Sequence, residues 1–130
     1  MKQSIGAVTF LVNDYDEAIE FFTQKLRFDL VEDTKLSGSK RWVIARPRGG
    51  SGTSILIAKA SDELQLKSVG NQTGSRVAFF LYTDNFEIDY ARMKNSGVNF
   101  IEEPRDEFYG TVVVFKDLYG NKWDFIQLKN

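Results

Sequence analysis

At 130 residues, with 42% hydrophobic and 27% charged side chains, the chain has the size and composition of one soluble globular domain rather than of a disordered or membrane-spanning protein. Its net charge is −1, and Lys and Arg are scattered among Asp and Glu, so no basic stripe exists to neutralise phosphates and nucleic acid is not an expected partner. With no cysteine and no histidine, disulfides, thiolate ligands and Cys-His or Ser-His-Asp mechanisms are excluded outright.

The opening residues, Met1-Lys2-Gln3-Ser4-Ile5-Gly6, lead straight into a strand-like run and carry no apolar signal segment. No stretch reaches the roughly 20 apolar residues a membrane helix needs, so a cytoplasmic address and no membrane partner are expected. Ile5 to Asn13, rich in β-branched and apolar residues, predicts a first strand that stops at Asp14-Tyr15-Asp16-Glu17. Asp14 can accept from the first free helical N–H groups while Glu17 reaches back, so a helix begins there, with Ile19, Phe22 and Leu26 on its packing face. Phe28-Asp29-Leu30-Val31-Glu32 predicts a second strand. Arg41 to Arg46 and Ser54 to Ala58 predict two more, joined through Gly49-Gly50-Ser51-Gly52. That glycine run reads as a hairpin turn and not a phosphate cradle, because neither Lys-Ser/Thr nor a helix follows it.

The same pattern returns seventy positions later, with Asp84 for Asp14, Glu87 for Glu17 and Gly120 for Gly50. Val98-Asn99-Phe100-Ile101-Glu102 matches the second strand. Thr111 to Phe115, the turn Leu118-Tyr119-Gly120-Asn121 and Trp123 to Gln127 supply a second hairpin. The acidic run from Glu102-Glu103 to Asp106-Glu107 lacks the spacing and glycine of a calcium loop and reads as a solvated loop. The polar residues 61–74 read as a linker between a module of residues 1–60 and one of residues 75–130, within a single domain, 1–130. Each module is a βαβββ unit with one apolar sheet face to cover. The expected fold class is therefore α+β, two βαβββ modules in one chain forming a cupped mixed sheet with helices outside and a concave cavity.

Three segments carry a family likeness: Val12-Asn13-Asp14-Tyr15-Asp16-Glu17-Ala18-Ile19-Glu20-Phe21-Phe22 with Lys25-Leu26-Arg27-Phe28; Gly97-Val98-Asn99-Phe100 with Glu103-Pro104; and Phe115-Lys116-Asp117-Leu118-Tyr119-Gly120-Asn121-Lys122-Trp123. In this order, and with the repeat, the chain resembles the vicinal-oxygen-chelate family, which includes glyoxalase I, extradiol dioxygenases and bleomycin-resistance proteins. Two residues depart from the family pattern: Arg27 stands where Gly is usual and Leu118 where Pro is usual. The resemblance implies a divalent metal held by four side chains, usually His, Glu or Gln, one on the first and one on the last strand of each half. Counting seven residues before the capping acids gives Ala7 and Val77, which cannot ligate. Seven residues after Asp117 lies Asp124, which can. Its counterpart in the first half is Leu56 or Ser54, depending on the length of the Gly-rich turn. Catalytic zinc needs about three protein ligands, and facial-triad iron needs two His and a carboxylate. With one ligand left, the resemblance implies the fold alone, and no metal or other cofactor is expected.

Alternation sets Asp124 opposite Trp123 and Phe125, as a polar anchor in a cleft or as a solvated or ion-paired strand residue. It also turns Ala7, Thr9 and Leu11, and Val77, Phe79 and Leu81, to the cleft side, as pocket wall or plain core. Trp42, Phe108 and Tyr109 fall near strand ends or in the loop Glu103 to Gly110, as an aromatic rim or as filler at a dimer interface. Arg41, Arg46, Arg48 and Arg105 either meet an anion bidentately or stand solvated. The expected ligand-binding set is Thr9, Trp42, Leu56, Phe79, Tyr109 and Asp124, with no catalytic residue assigned.

These readings predict metal-independent binding of a small, largely apolar or aromatic organic molecule, similar to the drug-sequestering bleomycin-resistance branch. Two alternatives stand beside it: a metal-dependent lyase, isomerase or dioxygenase of the glyoxalase I type, and a non-catalytic interaction or regulatory module. Whether the chain is an enzyme stays open, with the residues at the ligand positions weighing against it. The resemblance also implies a homodimer, because the family pairs βαβββ modules within a chain and across a dimer.

Overall fold

In a computed structural model that describes residues 1–130, the apolar run after Gly6 forms β1 (Ala7–Val12) and ends where Asp14 caps α1 (Tyr15–Glu20). The Asp14 carboxylate accepts from the Glu17 N–H at 2.8 Å, satisfying a donor the helix leaves free. α1 widens into a π-helical turn, Phe21–Lys25, in which the Leu26 N–H reaches back to the Phe21 carbonyl at 3.2 Å. Tyr15, Ala18, Phe21, Phe22 and Leu26 are buried, while Ile19, expected on that face, is half-buried.

β2 (Asp29–Lys35), β3 (Arg41–Arg46) and β4 (Ser54–Lys59) complete a mixed sheet in the order β1-β4-β3-β2, with β1 parallel to β4 and the other pairs antiparallel. Phe10, Val12, Val43, Ala45, Ile55 and Ile57 share one face, packed against α1, and all are buried. Phe10, Phe21 and Phe28 surround Phe22 at ring distances of 5.0, 5.3 and 5.4 Å. Each fully buried side chain of this kind stabilises the fold by about 1.5–3 kcal/mol. A short helix, α2 (Glu63–Ser68), then lies inside the stretch read as linker. The chain divides after Val69 into two compact units, residues 1–69 and 70–130, and α2 belongs to the first.

The second unit contains β5 (Val77–Tyr82), α3 (Phe86–Asn95), β6 (Asn99–Phe100), β7 (Arg105–Glu107), β8 (Gly110–Lys116) and β9 (Lys122–Leu128). Its sheet runs β5-β9-β8-β6 with β7 also paired to β8, and β5 is parallel to β9. β6 is only two residues long, and β7 occupies part of the segment read as a solvated loop. α3 is capped by Asn85, whose side chain accepts from the Ile88 N–H at 3.2 Å, one residue later than the repeat places Asp84. Aromatic rings fill the layer between α3 and the sheet. Phe86 stacks on Phe125 at 5.3 Å, Tyr90 meets Phe100 at 4.7 Å, and Phe115 stacks on Trp123 at 5.5 Å.

The β8–β9 turn is organised by Asp117, a buried carboxylate that accepts from the Tyr119, Gly120 and Asn121 N–H groups and from Asn121 Nδ2 at 2.9–3.1 Å. Trp123 Nε1 donates to it at 2.8 Å, which ties the turn to the aromatic layer. Burial pushes this carboxyl up while the donors pull it down. No helix of the chain is long and apolar enough to cross a membrane.

Arg27 occupies the left-handed region at φ 59°, where the matching residue of the second unit is Gly97 at φ 89°. A Cβ in that conformation costs roughly 1 kcal/mol. Arg27→Gly is expected to stabilise the protein by about 0.5–1 kcal/mol, seen as a higher urea midpoint at unchanged slope. A lower midpoint would show that contacts of the Arg27 side chain outweigh the strain.

Candidate functional site

The strand residues turned away from α1 form a second face of the first sheet: Ala7, Thr9 and Leu11 on β1, Ser54, Leu56 and Ala58 on β4, and Trp42, Ile44 and Arg46 on β3. Register draws Thr9, Leu56 and Ile44 into one row across three strands. This face deepens into a cleft of about 580 Å³ lined by Thr9, Trp42, Leu56 and Ala58, with Ser39 and Lys40 before β3 and Ser61 and Gln65 after β4. Trp42 is 40% exposed, so its indole stands as a wall with a free side.

One rim of the cleft is fixed by Arg41. Its guanidinium donates to both carboxylate oxygens of Asp33, at 3.1 and 2.6 Å, and to Asp16 at 2.9 Å, and it lies 5.0 Å over the Tyr15 ring. The Tyr15 hydroxyl accepts from the Arg41 N–H at 3.1 Å and donates to the Arg41 carbonyl at 3.3 Å. The Arg41 hydrogen bonds hold the Asp33 carboxyl below the usual range, and Asp33 and Asp16 push the guanidinium above its own. Its charge is thereby neutralised within the protein. On the opposite side Asp62 accepts from the Gln65 N–H at 2.8 Å, and Gln65 Oε1 accepts from the Ser61 N–H at 2.8 Å. The spacing Asp62 to Gln65 is that of a helix-capping pair, a signal the sequence carries inside the stretch read as linker. Lys40, Lys59 and Ser39 have no comparable marker, because they reach the cleft through the ends of strands.

Thr9, Trp42 and Leu56 therefore share one cleft, whereas Phe79, Tyr109 and Asp124 belong to the second unit. Phe79 does not face away from α3 as alternation from Val77 requires. A bulge between Val77 and Phe79 sets Phe79 opposite Trp123, 4.6 Å between rings, and Phe80 opposite Asp124. Phe79 and Leu81 consequently join the helix side, and Phe80 and Tyr82, more than half exposed, share the face of Asp124. Tyr109 sits at the β7–β8 turn, edge-on to Phe108 at 5.2 Å. Arg105 is held by Glu102 at 3.0 Å and by Glu107. Desolvation pushes the Asp124 carboxyl up, with Arg105 opposing and Glu102 adding to the shift.

Aligning the units on their caps, Asp14 and Asn85, pairs Thr9 with Phe80, and so makes Leu56 the counterpart of Asp124. Counting back from Asn85 replaces Val77 by Ala78. The four positions implied for a metal are then Ala7, Leu56, Ala78 and Asp124, a single carboxylate among three hydrocarbon side chains. That set does not fit a divalent metal, and nowhere do three or more Asp or Glu side chains gather to hold one. Because the folded state holds the Asp124 proton more tightly than the unfolded chain, ionisation of this group opposes folding. Asp124→Asn is expected to raise the urea midpoint at neutral pH, and the gain should fade as pH falls into the ordinary carboxylate range near about 4, where the native side chain is itself protonated. A gain that grows on acidification would contradict this sign.

The family model of the Glyoxalase/Bleomycin resistance protein/Dioxygenase superfamily matches residues 4–125. An uncharacterized protein of Shewanella frigidimarina (strain NCIMB 400) is 52% identical over 131 residues, covering all of this chain and 97% of that protein. Among solved structures, UcmS2 superposes with a TM-score of 0.83 at 28% identity, over 97% of this chain and 98% of that one. TnmS3, an antibiotic binding protein from Streptomyces sp. CB03234, superposes with a TM-score of 0.80 at 24% identity over 98% of each chain, a likeness of fold. With the family match spanning nearly its whole length, and each unit running from a strand through a helix into antiparallel strands, the chain belongs to the glyoxalase/bleomycin resistance protein/dioxygenase superfamily.

Proposed function

We propose that this protein binds a small, largely apolar or aromatic organic molecule on the open sheet face of its first unit, without a metal. The observation that carries the reading is the cleft: about 580 Å³, lined by Thr9, Leu56 and Ala58 on neighbouring strands and by Trp42, with Ser39, Lys40, Ser61 and Gln65 also lining it. That is the size and chemistry of a small-molecule site whose affinity comes from apolar burial. A planar ring laid on Trp42 adds about 0.5–1.5 kcal/mol beyond the area it buries. The fold serves antibiotic binding in TnmS3. A cytoplasmic homodimer belongs to the same reading, since Phe80 at 57% and Tyr82 at 61% exposure form the kind of aromatic sheet surface that a partner covers.

The test is thermal unfolding of chelator-treated protein against a panel of aromatic and drug-like compounds. A ligand at about a hundred times its Kd should raise Tm by roughly 10 °C, and Trp42→Ala should reduce the rise. If no compound shifts Tm, or if a shift requires added metal, the reading fails.

A further inference from the structure

We infer that the cleft of the first unit is built for an aromatic molecule bearing a negative charge, such as a carboxylate or sulfonate. This rests on the binding reading above and names the class of ligand. Across the chain, 18 acidic residues slightly outnumber 17 basic ones, so no global excess of positive charge explains what lines the cleft. Its charged residues are Lys40, Arg41 and Lys59, with no Asp or Glu among them. Arg41 is neutralised by Asp33 and Asp16. Lys40 and Lys59 form no ion pair. Lys40 and Lys59 thus line a concave, partly apolar surface beside Trp42 with no ion-pair partner, and low-dielectric walls concentrate a field of one sign.

A separate observation on the same face agrees. Arg46, two residues beyond Ile44 on β3, has a buried Nε–H with no hydrogen-bond partner. Buried donors are ordinarily paired, with protein, water or ligand. Arg46 stands opposite Asp29 in register without forming an ion pair with it. Glu32, which pairs with Ile44 in register and so extends the row of Thr9, Leu56 and Ile44, accepts from the Thr34 hydroxyl at 3.0 Å and lies outside the cleft lining. Arg46 lies beyond the cleft lining, so on this face the lining contributes the unpaired Lys40 and Lys59 and Arg46 adds one unpaired N–H donor outside it.

The experiment compares two fluorescent probes of similar shape on the full chain: anionic 1-anilinonaphthalene-8-sulfonate and uncharged N-phenyl-1-naphthylamine. The anion should bind about tenfold more tightly in low salt, and the preference should fall several-fold in roughly 0.5 M NaCl as the charges are screened. The double variant Lys40→Gln/Lys59→Gln should lose most of the preference for the anion, and Trp42→Ala should weaken both probes while leaving the preference in place. Both lysines are exposed, so the variant keeps its fold, which its melting curve verifies. If the two probes bind alike, or the double variant keeps the preference, the charge assignment is overturned while small-molecule binding stands. If neither probe binds and the compound panel is also silent, both readings fall together.

Discussion

The pairing of β1 with β4, Thr9 against Leu56, decides which side chains of the first unit meet α1 and which are left on the open face. Strand side chains alternate strictly, so a slip of one residue would exchange the two sets. Phe10, Val12, Ile55 and Ile57 would leave the core, and at about 1.5–3 kcal/mol each their exposure would cost on the order of 6–12 kcal/mol, comparable with the whole net stability of a domain. The register is therefore held by the core, and the composition of the cleft follows from it. Thr9, Leu56, Ala58 and Trp42 fall on the open face because Phe10, Val43, Ile55 and Ile57, beside them in sequence, are buried in the core.

The second unit obeys the same rule with one interruption. The bulge in β5 lets Phe79 stack on Trp123, whose indole N–H is in turn held by Asp117, so the aromatic layer and the β8–β9 turn support each other. The cost is that Phe80 and Tyr82 are turned outward beside Asp124. In the first unit the corresponding rigidity comes from Arg41, whose carboxylate partners and Tyr15 hold the entry to β3 and so fix where the Trp42 backbone starts. A rigid wall reduces the ordering that a ligand must pay for on binding.

Much of this was legible because it depends on local chemistry. Asp14 ahead of an apolar stripe marks a helix start, β-branched runs mark strands, and the repeat exposes the two βαβββ orders. Thr9 was readable as an open-face residue because its strand alternates without interruption, whereas Trp42 is marked only as an aromatic near a strand end and Leu56 only by the ligand spacing that the resemblance implies. Phe79 was not, since the bulge is set by how one ring packs on Trp123, which no local pattern records. Asp84 and Asn85 are both good cap residues, and only the chain's path after β5 chooses the second. α2 was hidden by its polar composition, although Asp62 and Gln65 carried the capping signal. Lys40 and Lys59 look like ordinary surface lysines until β3 and β4 bring them to one rim.

Family membership and chemistry separate at the four positions that the resemblance implies for a metal. Ala7, Ala78 and Leu56 offer no lone pair, which leaves Asp124 alone of the donor set that the resemblance implies. The central claim is that a small molecule binds there unaided. Its most direct test is amide and indole chemical-shift mapping of the isotope-labelled protein with the tightest compound found, in the presence of chelator. The account predicts that the Trp42 indole N–H and the amides of Thr9, Leu56 and Ala58 move, while the Trp123 indole, held by Asp117, does not. Shifts concentrated in residues 77–128 with Trp42 unmoved, or appearing only once a metal is added, would contradict it.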